Sequence, residues 1–209
     1  MAIKSILFDL DGVLLDSEGI YTDFWRDVER HYPTGIEDFA LKIKGTTLPD
    51  ILNTYYPADQ HPGIIAMLRE LETTMVYRLF DGVEQMLAEL KAAGYSVAIV
   101  TSSNHPKMMT IFDRLPSFGR YIDALITDED VTHCKPHPEP YLRGAERLGV
   151  EPSECVVVED SLNGLRSGRA AGAYVVGLPT TNCEADIAPL CDTVLADIAA
   201  LPGLLATLA

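Results

Sequence analysis

Short apolar runs recur along the chain. Each is closed by a polar turn, and most lead into a longer segment where apolar positions return every three or four residues. The clearest runs are 3–8, 95–100, 155–158 and 173–176, with shorter ones at 124–126 and 192–195. Their length and their Val and Ile content fit buried strands. Amphipathic segments at 83–93, 106–115, 138–148, 162–171 and 198–208 predict helices. Gly94, Gly149 and Gly172 stand where helix C-caps belong, because glycine enters the left-handed region without steric cost. This alternation predicts an α/β fold, a three-layer, doubly wound (Rossmann-like) parallel sheet. Right-handed crossovers then place every strand's C-terminal end on one edge, where ligands bind in such sheets.

One stretch breaks the alternation. Residues 17–80 carry no strand pattern, and helices are predicted at 20–30, 36–43, 48–55 and 64–79, punctuated by Pro33, Pro49, Pro57 and Pro62. The expected organisation is a core of residues 1–16 and 81–209 with an inserted α-helical cap domain at 17–80. The turn-forming pairs Asp16-Ser17 and Asp81-Gly82 are its expected joints.

Charge narrows the partners. The formal net charge of the 209 residues is −15, which repels nucleic acid and anionic lipid, so neither is expected as a partner. A phosphorylated ligand would need a locally positive site. The four cysteines, Cys134, Cys155, Cys183 and Cys191, form no C-x-x-C pair and read as free thiols. The apolar stretch of Met1 to Leu7 is too short for a signal peptide, and no window reaches the length of a membrane span. The expectation is a soluble cytoplasmic protein, monomeric by default.

The candidate chemistry sits at strand ends. Asp9-Leu10-Asp11-Gly12 follows the first apolar run, and side chains two apart on extended backbone point the same way. Phosphoryl transfer needs such a pair to do different jobs, one carboxylate attacking phosphorus and the other holding a proton. A bound cation would favour ionised Asp9, and a drier, negative setting would raise Asp11. Glu159-Asp160-Ser161 closes another strand; acids there suit a hard oxygen-binding cation such as magnesium, or a helix N-cap. Thr101-Ser102-Ser103-Asn104 offers hydroxyls and backbone N–H groups at a helix start, a phosphate cradle or an ordinary cap. Lys135-Pro136 precedes the 138–148 helix, where the lysine would neutralise phosphate or hold the acids together. The run Asp128-Glu129-Asp130 reads as a solvated loop, and Phe24 and Trp25 as core of the helical block.

These motifs, in this order, resemble the haloacid dehalogenase superfamily, in the branch with an α-helical cap. They resemble most its phosphatases and β-phosphoglucomutases. The segments that carry the likeness are Phe8-Asp9-Leu10-Asp11-Gly12-Val13-Leu14-Leu15-Asp16-Ser17-Glu18, Ile99-Val100-Thr101-Ser102-Ser103, Cys134-Lys135-Pro136-His137-Pro138 and Val157-Val158-Glu159-Asp160-Ser161. The resemblance implies Asp9 as nucleophile and Asp11 as general acid/base, with its backbone carbonyl on Mg2+. It implies Thr101, Ser102 and Lys135 as phosphate-binding residues. Asp160 would ligate the metal with Asp9, and Glu159 would stand in or just behind that ligand set. Family dehalogenases lack the second aspartate, so Asp11 argues against dehalogenation. In the cap, Tyr21 stands where many sugar-phosphate members have histidine, and Leu48 where the phosphomutases have a phosphate-gripping arginine. Lys44 is either a substrate contact or a solvated helix end. The expected function is a Mg-dependent phosphatase of a small phosphorylated metabolite, a sugar phosphate, working through an aspartyl-phosphate. The alternatives are a β-phosphoglucomutase-like phosphomutase and a non-catalytic regulatory binder.

Overall fold

A computed structural model describes residues 2–208. Among these residues six strands form one sheet: β1 (Ser5–Phe8), β2 (Ser96–Val100), β3 (Ala124–Ile126), β4 (Cys155–Glu159), β5 (Tyr174–Gly177) and β6 (Thr193–Val194). Their order is β3-β2-β1-β4-β5-β6 and every pairing is parallel. The order reverses between β1 and β4, so the crevice of this doubly wound sheet opens at the C-terminal ends of those two strands.

Helices cover both faces, as the alternating layout predicts. Along the chain they are α1 (Glu18–His31), α2 (Phe39–Lys42), α3 (Leu48–Tyr55), α4 (His61–Thr74), α5 (Val83–Ala92), α6 (His105–Arg114), α7 (Pro116–Gly119), α8 (Glu139–Leu148), α9 (Leu162–Ala171), α10 (Glu184–Ile187) and α11 (Leu201–Leu208). The period-two rule divides the strand side chains between two cores. Ile6, Phe8, Val97, Ile99, Val156 and Val158 pack with Val83, Leu87, Ile111 and Leu205 of α5, α6 and α11. Leu7, Ala98, Val100 and Val157 pack with Tyr141, Ala145 and Leu165 of α8 and α9. Burying each large apolar side chain contributes about 1.5–3 kcal/mol, and this two-sided core fixes the strand ends that carry the site. Gly149 and Gly172 take left-handed conformations (φ 70° and 84°) and cap α8 and α9, as their positions suggest.

Helices α1 to α4 hold a third apolar cluster of their own. Phe24, Trp25, Val28, Phe39, Ile51, Leu52, Tyr56 and Ile64 meet there, with edge-to-face contacts of Trp25 on Phe39 (6.0 Å) and Phe39 on Tyr56 (5.8 Å). The chain enters and leaves this block side by side. Asp16 N–H donates to the Arg78 carbonyl (2.9 Å) and Phe80 N–H to the Leu14 carbonyl (3.0 Å).

Some boundaries differ from the pattern. The helix predicted at 64–79 is α4, which ends at Thr74 because 78–80 is drawn into pairing with 14–16. Of 36–43 only Phe39–Lys42 is helical, after Asp38 in a left-handed conformation (φ 53°). The predicted 198–208 helix opens as a 3-10 turn, Ile198–Ala200, where the Asp197 side chain accepts from Ala199 N–H at 2.8 Å. The four cysteines are free. No helix among the described residues is long and apolar enough to cross a membrane.

Candidate active site

The crevice at the sheet edge is floored by residues that directly follow or end β1, β2 and β4, and by Lys135 from the loop before α8. Lys135 is almost fully buried. Its ammonium donates to Asp9 Oδ1 (2.6 Å), Glu159 Oε1 (2.7 Å) and the Val100 carbonyl (3.0 Å). All three of its protons are thereby used, and one cation ties together the ends of β1, β2 and β4. A lysine buried this deeply stays charged only because two carboxylates share it. They lift its pKa despite the opposing effect of burial.

Glu159 is also wholly buried, and its role is structural in detail. Oε1 accepts from Lys135 and from the Tyr141 hydroxyl (2.8 Å). Oε2 accepts from Asp160 N–H, Ser161 N–H and Ser161 Oγ, each at 3.0 Å. Two close approaches require glycine. A Cβ at Gly164 would collide with the Glu159 carboxylate, and one at Gly12 (φ 83°) with that of Asp160.

One lysine among three acids leaves Asp9 and Asp160 short of counter-charge. Burial raises the Asp9 carboxyl, Lys135 pulls it back, and the Glu159 and Asp11 charges push it up again, leaving it at about 7. Asp160 is held well above the ordinary carboxylate range by burial and then by the charges of Glu159 and Asp9, against a hydrogen bond from Thr181. Carboxylate oxygens of Asp9, Glu159 and Asp160 lie within 4.8 Å of one another. Since Glu159 already accepts five hydrogen bonds, Asp9 and Asp160 offer the free oxygens. This buried, over-negative oxygen set fits a hard divalent cation.

Asp11 departs from expectation. Burial does act to raise it, but Lys107 outweighs burial by charge and hydrogen bond, with help from Ser17 and Ser103, and the carboxyl is held below its ordinary value. Its Oδ1 accepts from Ser17 Oγ (2.5 Å), and Oδ2 from Lys107 Nζ (2.7 Å) and Ser103 Oγ (3.1 Å). The drier, negative setting read from the sequence is real around Asp9, and a lysine cancels it at Asp11.

Thr101 is buried at the end of β2, with Oγ1 accepting from Ser103 N–H at 3.0 Å, and Ser102 Oγ donates across the crevice to the Gly45 carbonyl at 3.2 Å. Asp9, Asp11, Thr101, Ser102 and Asp160 therefore face one cleft, with Lys135 and Glu159 beneath it.

The opposite wall comes from the helical block. Tyr21, Trp25, Lys44, Leu48 and Glu72 line it. Lys44 is no solvated helix end, since it pairs with Glu18 and its carbonyl accepts from Asn163 Nδ2 at 3.3 Å. Trp25 serves both the helical core and the cleft wall. Asp128 also departs from its reading as part of a solvated loop. It lines the cleft, with Oδ1 buried and without a hydrogen-bond partner. Lys107 and Thr181 join the site without any reading of the sequence pointing to them, and Ser17, expected as a joint, also donates to Asp11. For Lys107 a signal existed, because a cation in the first turn of a helix opposes the dipole and asks for a nearby anion. On the outer surface, Glu139 joins His133 and His137 in a second group of possible ligand atoms, bonded within itself by His133 Nδ1 to Glu139 Oε2 at 2.9 Å.

A family model described as haloacid dehalogenase-like hydrolase matches residues 3–172, which spans the strand ends just described. The chain belongs to the haloacid dehalogenase-like hydrolases. Within that family it is 34% identical over 193 residues to hexitol phosphatase A of Escherichia coli, covering 89% of this chain and 86% of the relative. It is 30% identical over 239 residues to a β-phosphoglucomutase of Mycobacterium bovis, covering 95% and 91%. The solved HAD family hydrolase of Deinococcus radiodurans, which carries bound phosphate and sodium, superposes with a TM-score of 0.73 at 27% identity, covering 98% of this chain and 96% of that one.

Proposed function

We propose that this hydrolase is a Mg2+-dependent phosphatase that cleaves a small phosphorylated metabolite through an aspartyl-phosphate on Asp9. It is a phosphoric monoester hydrolase. The observation that carries the reading is the convergence of Asp9, Asp11, Thr101, Lys135 and Asp160 at the switch point of the sheet. Residues 17–80 act as the cap over that edge.

In this reading Asp9 attacks phosphorus, and Asp11 protonates the leaving oxygen. Asp11 then takes a proton from the water that hydrolyses the phospho-Asp9 bond. As it stands, hydrogen-bonded by three donors, Asp11 suits the second, basic half of the cycle. The approach of a phosphate dianion adds negative charge beside it and raises its proton affinity for the first half. Thr101 and Ser102 orient the phosphoryl oxygens, and Lys135 balances their charge from below. Magnesium, held by Asp9, the Asp11 carbonyl and Asp160 with Glu159 behind, would supply charge stabilisation at the phosphate.

The cleft also bears on the rest of the substrate. Each of its lysines already has a carboxylate: Lys44 has Glu18, Lys107 has Asp11, and Lys135 has Asp9 and Glu159. No arginine lines it among the described residues. A second phosphate would find no unpaired cation, whereas Glu18, Glu72 and Asp128 offer acceptors to hydroxyl groups. A neutral polyol or sugar monophosphate fits this best, in line with the likeness to a hexitol phosphatase. The likeness to a β-phosphoglucomutase supports the mutase as second reading. Phosphate release from hexitol phosphates, hexose phosphates and p-nitrophenyl phosphate, with and without magnesium, decides between them. Magnesium-dependent release favours the phosphatase. Bisphosphate-primed isomerisation of hexose 1-phosphate with little free phosphate overturns it.

A further inference from the structure

Asp11 is gripped by a residue outside the four motifs. Lys107 is the third residue of α6, and its side chain is 4% exposed. Its Nζ lies 2.7 Å from Asp11 Oδ2, 2.8 Å from Ser103 Oγ and 4.3 Å from the centroid of the Tyr21 ring. Near the N-terminal end of a helix the dipole disfavours a cation, and burial disfavours it again. Two features compensate, one from each side of the cleft. The core supplies the carboxylate and hydroxyl, and the helical block supplies the electron-rich face of Tyr21. Tyr21 is itself fixed from behind, its hydroxyl donating to Glu72 at 3.4 Å.

We propose that Lys107 is a positioning residue for Asp11, holding the carboxylate in one orientation and linking it through the Tyr21 ring to the helical block. The inference rests on the phosphatase reading for its kinetic consequence but on geometry alone for the positioning. Ser17 fixes one Asp11 oxygen, and Lys107 with Ser103 fixes the other. Ser103 is in turn oriented by the same lysine, because it accepts from Nζ while donating to Asp11. Without Lys107 the carboxylate keeps two hydroxyl contacts, each able to rotate. The lysine's own donors are spent on Asp11 and Ser103, with the ring covering a further side, so it acts through Asp11 rather than on the phosphate.

The test compares two esters of similar size. p-Nitrophenolate leaves with little need of a proton, and phenolate needs one. In Lys107→Met, kcat/KM for phenyl phosphate is expected to fall about tenfold further than for p-nitrophenyl phosphate, within the range that general acid catalysis contributes. In an Asp11→Asn background the same substitution gives no leaving-group-dependent loss. A crystal structure of Lys107→Met is expected to place the Asp11 carboxylate in a new rotamer. If the Met variant does not fold, Lys107→Gln removes the charge while keeping a polar head. Equal losses on both esters, or an Asp11 side chain left in place in the variant's crystal structure, overturn the proposal. A wild type that releases phosphate neither from these esters nor from hexitol and hexose phosphates refutes the phosphatase reading instead, and the variant's crystal structure then decides the positioning by itself.

Discussion

The two walls of the cleft are built on different principles. The floor, at the ends of β1, β2 and β4, is a closed electrostatic network. One fully committed lysine and one carboxylate with five hydrogen bonds hold Asp9 and Asp160 in an over-negative pocket. The opposite wall is an apolar helical cluster with polar groups along its rim, Tyr21, Lys44 and Glu72 among them. A network of that kind fixes geometry to a fraction of an ångström but tolerates little change. An apolar cluster with a polar rim accepts substitution while it keeps its volume. The difference teaches where chemistry and selectivity would reside, with bond breaking in the floor and the choice of substrate in the helical block.

Several substitutions would break or sharpen that contrast. The largest effect belongs to Asp9→Asn, expected to lower turnover at least about a thousandfold, as loss of a nucleophile does, while leaving the circular dichroism spectrum intact. Lys135→Met comes next. It strands Asp9 and Glu159 as buried, unpaired carboxylates, and urea denaturation should reveal a loss of about 3–5 kcal/mol together with activity. Magnesium should raise the melting temperature of the wild type by a few degrees, since a ligand for the folded state stabilises it. That shift should vanish in Asp160→Asn, and calorimetric titration of the cation checks it directly. The smallest effect is expected from Lys44→Met in the opposite wall, about 1 kcal/mol or less for a partly exposed pair, with a change in substrate ranking rather than in the rate of the best ester. If Lys44→Met proved as costly as Lys135→Met, the contrast between the two walls would fall.

Much of the floor was legible from the residues. Asp9 and Asp160 follow strongly apolar runs, and parallel strands with right-handed crossovers put both on one edge. The inserted helices were visible through the lack of any period-two stretch in 17–80, though not their ends. The stop of α4 at Thr74 depends on 78–80 pairing with 14–16, a long-range contact that local pattern does not encode. The charge setting of Asp11 departs from the local pattern for a similar reason. Its low pKa comes from Lys107, nearly a hundred positions along the chain, which local pattern alone would place on any helix face. Asp128 read as solvated because acidic runs usually are, yet the C-terminal end of β3 turns it into the cleft. For α4 and Asp11, what the sequence hides is a partner distant in the chain.

The most direct test of the central claim is to quench turnover in acid and locate covalent phosphate by peptide mass spectrometry. The account predicts phosphate on Asp9, formed and lost at rates compatible with turnover and absent from Asp9→Asn. Turnover that persists in Asp9→Asn, with no phosphorylated aspartate in the wild type, would contradict it.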